Sequence, residues 1–114
     1  MSIAVAYPAA GDVRVAVTST LDYALTQELD AALVSVAAER PRTLLVDLTG
    51  AGTIDDAAIG VMFRALREIR EHGGAVAVCL PDQKQRAALE VMGLDRLMLV
   101  TGSRDEAERQ LASS

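Results

Sequence analysis

Apolar residues follow two rhythms along this chain. Ile3–Tyr7 and Val13–Val17 place apolar residues at every second position, the period of a strand with one covered face. The turn-like Pro8-Ala-Ala-Gly11-Asp12 between them is too short for a crossover, so the pair predicts a hairpin. Thr43–Leu48 (TLLVDL) and Ala75–Leu80 (AVAVCL) are denser apolar runs, as expected of strands covered on both faces. Leu97–Val100 predicts a short last strand.

The intervening segments have the helical period. Leu25, Leu29, Ala32, Leu33 and Val36 mark one face of a helix ending before Pro41. Ile59, Met62, Phe63, Leu66 and Ile69 do the same for a second helix, with Arg64, Arg67, Glu68, Arg70 and Glu71 on its far side. Gly73-Gly74 then supply a left-handed cap, a conformation glycine enters without steric penalty. Asp82 with Gln85 has the spacing of a capping box for a third helix, which Gly93 closes; Ser103 with Glu106 repeats the pattern before Ala107 and Leu111. The order is ββαβαβα(β)α, an α/β fold with a mixed, largely parallel sheet of four to five strands and helices packed on it. No linker, repeat or break in composition divides residues 1–114, which predicts a single domain.

Composition narrows the function classes. Hydrophobic residues are 51% of the 114 but aromatics only 3%, so the core is aliphatic. Eleven basic against sixteen acidic side chains leave a net charge of −5. Such a surface repels phosphate backbones and anionic lipid, so neither a nucleic-acid partner nor direct membrane binding is expected. No apolar run approaches the ~20 residues of a membrane span. The start MSIAVAYPAA lacks a basic region before its apolar stretch, and a lone cysteine forms no internal disulfide. A cytoplasmic location is the expectation.

The most informative stretch is Val46-Asp-Leu-Thr-Gly-Ala-Gly-Thr-Ile-Asp-Asp-Ala-Ala-Ile-Gly60, where a buried strand gives way to a glycine-containing loop and two acids open a helix. Strand carboxyl ends beside helix N-termini are the usual place for ligands and partners in α/β sheets. Asp55 and Asp56 both suit a helix start; capping accounts well for one acid and less well for two. Gly50-Ala-Gly52 is not a dinucleotide fingerprint, because Asp55 stands where a third glycine is needed. Asp47 ends a central strand as a receiver aspartate does, but IAVAY supplies no acids to hold magnesium. His72 reads as a helix C-terminal cation, Cys79 as a small core hydrophobe, and Met62, Met92 and Met98 as core filler. These residues make no metal cluster and no nucleophile–base pair, so neither a metal, a cofactor nor catalysis is expected.

From Val13 to about Leu111 the chain resembles the STAS family, and within it the bacterial anti-sigma factor antagonists. Leu21-Asp22 matches the end of the family's Gly-Glu-Leu-Asp turn, and Leu45-Val-Asp-Leu-Thr-Gly50 matches the third strand and its exit. Ile54-Asp55 through Ile59-Gly60 lies on the Asp-Ser-Ser-Gly-Leu-Gly stretch, and Met92-Gly-Leu-Asp-Arg-Leu97 on the Gly-Leu-Asp-Arg-Leu motif. The resemblance implies a STAS-type fold and a regulatory protein without catalysis of its own. Such antagonists bind an anti-sigma factor of the ATPase-fold kinase type and release a sigma factor. The kinase phosphorylates a serine at the start of the second helix, which breaks the complex.

This chain departs at that serine. Aligning Asp55 on the motif's Asp puts Asp56 on the first serine, Ala57 on the phosphoacceptor and Ala58 on the glycine, so the family position carries no hydroxyl. Ser19-Thr20 replaces the Gly-Glu of the earlier turn. Ala57 then implies a constitutive antagonist, or Asp56 a permanent charge that weakens kinase binding; Thr49 and Thr53 are the other nearby hydroxyls. The expected docking surface comprises Asp22, Tyr23, Asp55, Asp56, Ala57, Ala58 and Ile59, with Ala57 and Ala58 permitting close approach. The alternative role is that of a STAS subunit of a lipid-exporting ABC transporter or of a larger sensory assembly. A homodimer is left open.

Overall fold

In the computed structural model, which describes residues 2–113, one five-stranded sheet organises the chain. Its strands are β1 (Ile3–Ala9), β2 (Asp12–Val17), β3 (Thr43–Asp47), β4 (Ala75–Cys79) and β5 (Leu99–Thr101), ordered as in the sequence. β1 and β2 form the antiparallel hairpin, and β2 to β5 run parallel. The helices are α1 (Tyr23–Ala38), α2 (Asp56–Glu71), α3 (Gln83–Val91) and α4 (Arg104–Ala112), with a short 3₁₀ turn at Leu94–Arg96.

The two rhythms place the core. Val13, Val15 and Val17 of β2 join Leu44 and Val46 of β3 and Val76 and Val78 of β4 beneath α1, α2 and α3. Leu29, Leu33 and Val36 of α1 and Met62, Leu66 and Ile69 of α2 seal this layer. The alternate residues Leu45, Ala77 and Cys79 point to the other face, where Ala107 and Leu111 of α4 cover them. Every residue of β3 is therefore buried, as its unbroken apolar run requires.

Boundaries shift where local chemistry overrides period. β1 runs on through Pro8 to Ala9, leaving only Ala10-Gly11 as the turn. The register slips between Ala6 and Ala9, so Pro8, which has no N–H to give the ladder, lies inside the irregularity on an edge strand that tolerates it. The last strand starts at Leu99, because the Leu97 and Met98 amides are still bonded back to Leu94. Of the Gly73-Gly74 pair, only Gly73 is left-handed, at φ 89°. Gly74 is needed for another reason: a Cβ there would meet the Pro41 carbonyl at 2.7 Å. Asp82 and Ser103 cap α3 and α4, but neither box closes: Gln85 reaches Ile54 and Glu106 accepts from Gln110. Met92 is not core. It ends α3 at 54% exposure beside Val91, because the chain turns away at left-handed Gly93 and sends Leu94 inward instead.

Candidate functional site

β2 and β3 are parallel neighbours with Ala16 opposite Asp47, so both release their chain at the same edge of the sheet. The loops that follow are held together. The Leu21 amide donates to the Ala51 carbonyl at 3.4 Å, and a Cβ on Gly50 would lie 2.9 Å from the Val17 carbonyl oxygen. Gly50 is thus required by close backbone approach, while Gly52 supplies a left-handed bend at φ 69°. Ala51 and Ile54 are buried and anchor the loop from beneath. α1 and α2 leave this paired loop and pack against each other.

Each helix opens on an aspartate of the same geometry. Asp22 is extended and accepts from the Leu25 amide at 2.7 Å; Asp55 is extended and accepts from the Ala58 amide at 2.8 Å. Both carboxylates answer first-turn donors that the helix itself leaves unpaired. Asp56 is the first residue of α2, makes no cap bond, and stands exposed where its charge complements the helix dipole. One acid caps and its neighbour is left facing solvent.

The remaining expected residues divide. Tyr23 is 72% exposed at the start of α1, and Ala57 is exposed one residue beyond Asp56. Ile59 is half-buried and packs on the core, so only its edge is presented. Ala58 is fully buried, which corrects its assignment to the surface: the Asp55 cap sets the phase of α2 so that its third residue faces inward. Its small size serves internal packing and not close approach from outside.

The last residue of the expected Asp55–Gly60 helix start completes the surface. Gly60 is exposed on α2, one turn from Asp56 and Ala57, and a Cβ there would meet nothing within 4 Å. No steric demand within the chain explains it, although glycine in a helix interior costs about 1 kcal/mol relative to alanine. Its signal in the sequence is a glycine inside an otherwise regular amphipathic helix. Ala57 and Gly60 leave a flat strip of bare helix, followed by exposed Arg64 and the Arg67–Glu71 ion pair at 3.3 Å.

Other titratable groups are occupied. Buried Asp47 accepts at Oδ1 from both the amide and the hydroxyl of Thr49, at 3.0 and 2.7 Å, locking the strand exit. That engages the Thr49 hydroxyl, whereas Thr53 is exposed. Burial pushes the Cys79 thiol up from its ordinary 9.0, an effect that the Thr101 hydroxyl 3.7 Å away opposes. His72 is exposed at the end of α2, its Nδ1 3.2 Å from the Glu68 carbonyl. Among the described residues no three His, Cys, Asp or Glu side chains come together as metal ligands, and no helix is long and apolar enough to cross a membrane.

Comparison with known proteins places this geometry. A family model described as Mlab, STAS domain, matches residues 5–101. No curated protein matches the sequence. Among solved structures, a proposed anti-sigma factor antagonist from Thermotoga maritima shares the fold with a TM-score of 0.81 and 18% identity, over 96% of this chain and 94% of that one. Phosphorylated SpoIIAA, a Bacillus cell fate determinant, has a TM-score of 0.75 at 15% identity, over 96% and 98%. An anti-sigma factor antagonist STAS domain protein from Planctomyces limnophilus has a TM-score of 0.78 at 20% identity, over 96% and 97%.

Proposed function

We propose a binding role for this chain, which belongs to the STAS domain family: it is a cytoplasmic, non-catalytic antagonist that engages an anti-sigma factor kinase through the start of α2 and the adjoining start of α1. The fold it shares with anti-sigma factor antagonists supports the general class. The observation that carries the docking site is Gly60, a helix-weakening residue with open space around it, beside exposed Ala57. A partner seated on that strip supplies the reason that the chain lacks.

In this reading Asp22 and Asp55 orient the two helix starts, and Asp56, Tyr23, Ala57 and Gly60 meet the partner. Ala57 removes the phosphoacceptor, so the complex is not broken by the kinase in the usual way. The matching family model is named for Mlab and not for an antagonist, and this keeps a second reading: a STAS subunit of a lipid-exporting ABC transporter using the same surface.

The test is a pull-down from native cytosol with the tagged protein, followed by Ala57→Ser. Retention of a small protein with a kinase-type ATPase domain, and kinase-dependent phosphate on residue 57 of the variant, is the expected result. Retention of transporter subunits with no such kinase overturns the antagonist reading. A variant that binds the kinase but never gains phosphate on residue 57 overturns the alignment.

A further inference from the structure

On the far side of the sheet, at the amino ends of β2 and β3, lies a cleft of about 520 Å3 between α4 and the hairpin. That volume is in the range of small-molecule sites. Leu45 and Leu111 contribute its apolar surface, and no aromatic side chain lines it. Its polar groups include three arginines, Arg14, Arg42 and Arg104, against two acids, Asp12 and Glu108. This local excess of positive charge stands in a chain whose net charge is −5.

The three guanidiniums are not equally engaged. Arg42 donates to Asp12 Oδ1 at 2.7 Å, and the Thr43 hydroxyl donates to the same oxygen at 2.8 Å, which fixes that corner. Arg104 and Arg14 instead converge on one oxygen, Glu108 Oε1, at 3.0 and 3.7 Å. The longer distance exceeds a hydrogen bond. Arg14 rises from the sheet with its side chain only 25% exposed, yet among the described residues its guanidinium makes no hydrogen bond. Among the described residues its charge is answered only by Glu108, which Arg104 holds more closely.

We propose that this cleft binds a small organic oxyanion with a short aliphatic body, its phosphate or carboxylate head bridging Arg14 and Arg104 and its body lying over Leu45 and Leu111. Guanidinium forks suit such heads because paired N–H groups match paired oxygens. Glu108 Oε1 already stands between the two arginines as a resident carboxylate. The Arg104–Glu108 pair is a half-exposed i,i+4 contact of the weakly held kind, so the side chain swings aside readily. Without an aromatic side chain in the cleft, a nucleobase has no stacking surface.

The test is an amide chemical-shift titration of the full chain at low ionic strength with hexyl phosphate and hexanoate, using hexanol as the neutral control. Saturable shifts at Arg14, Leu45, Arg104 and Leu111 with at least one anion, and none with hexanol, are expected. Tighter binding of hexyl phosphate assigns a phosphate ligand, and tighter binding of hexanoate a carboxylate. Arg14→Ala weakens binding by about tenfold or more, the loss of a charged hydrogen-bonding partner. Glu108→Gln strengthens it by removing the competing carboxylate. Arg104→Ala, at a half-exposed position on α4, gives the same loss as Arg14→Ala should the latter fold poorly. Absence of saturation with both anions, unchanged affinity in folded Arg14→Ala or Arg104→Ala, or shifts confined to the start of α2 overturns the proposal.

Discussion

Replacing Gly60 with alanine is expected to make the protein more stable and a poorer binder. Gly60 is the fifth of sixteen residues in α2, well inside the helix, and an added methyl meets no atom within 4 Å. The substitution therefore carries the helix-propensity gain of about 1 kcal/mol with no overpacking to offset it. For 114 residues, an unfolding entropy of about 2.1 cal/mol/K per residue turns that gain into a rise of roughly 4 °C in Tm. The same methyl protrudes into the strip where a partner's surface is proposed to lie. An overpacked contact there costs about 1–3 kcal/mol, enough to reduce capture severalfold to a hundredfold. Ser35→Ala, at an exposed position on α1, is the control: a small gain in stability and unchanged capture. Thermal melts and quantitative pull-downs of the three proteins decide the matter. A lower Tm for Gly60→Ala refutes the open helix surface. A higher Tm with undiminished capture refutes the docking site.

Three further outcomes follow from the same geometry. Asp55→Ala is expected to cost about 1 kcal/mol by loss of the cap to Ala58, with Asp55→Asn retaining most of it; Asp56→Ala costs only about 0.3–1 kcal/mol through the dipole, and urea denaturation giving the reverse order would contradict the division between the two acids. Gly50→Ala drives a Cβ to 2.9 Å from the Val17 carbonyl and is expected to cost about 1–3 kcal/mol in the same assay; a neutral result would mean that the two loops are not pressed together. The buried Cys79 thiol resists alkylation in the native state at pH 8. Because its pKa is raised in the folded protein, the unfolded chain loses its proton first, near 9.0, so stability contributed by this group is intact below that pH and falls as pH rises through the folded value. Urea midpoints at pH 8 and 10 check this, and a fall of equal size in Cys79→Ala would refute it.

The central strands were legible because burial on both faces favours apolar residues at consecutive positions: TLLVDL and AVAVCL carry that demand in their composition, and the polar exceptions in the first, Thr43 and Asp47, are hydrogen-bonded. α2 was legible because its apolar stripe and its arginines fall on opposite sides. Met92 was not, because the apolar period continues to the end of α3 while the helix stops there and Gly93 reverses the chain. Ala58 was misjudged for a different reason. Alanine reports no preference for inside or outside, so its side depends on the helix phase, and that phase depends on which of two adjacent aspartates is the cap. Arg14 alternates correctly with Val13 and Val15, but only the position of α4, ninety residues on, gives it a cleft to face.

The choice of Asp55 as cap also bears on what alanine at residue 57 means if the proposed alignment places it on the family's serine. Successive helix residues are rotated by about 100°, so the carboxylate of Asp56 does not point where a side chain on residue 57 points. It also carries one charge and two oxygens, against nearly two charges and three oxygens for a phosphate. Asp55 spends its own carboxylate on the Ala58 amide and is not free to mimic one either. Neither acid therefore reproduces a phosphorylated residue at this place, while the small, exposed Ala57 leaves the helix start open to a partner. Within the proposed function, this arrangement supports a permanently competent binding surface over a permanently blocked one. Ala57→Asp separates the two: a carboxylate placed on residue 57 itself is expected to reduce partner capture, and equal capture by both proteins would remove the charge argument.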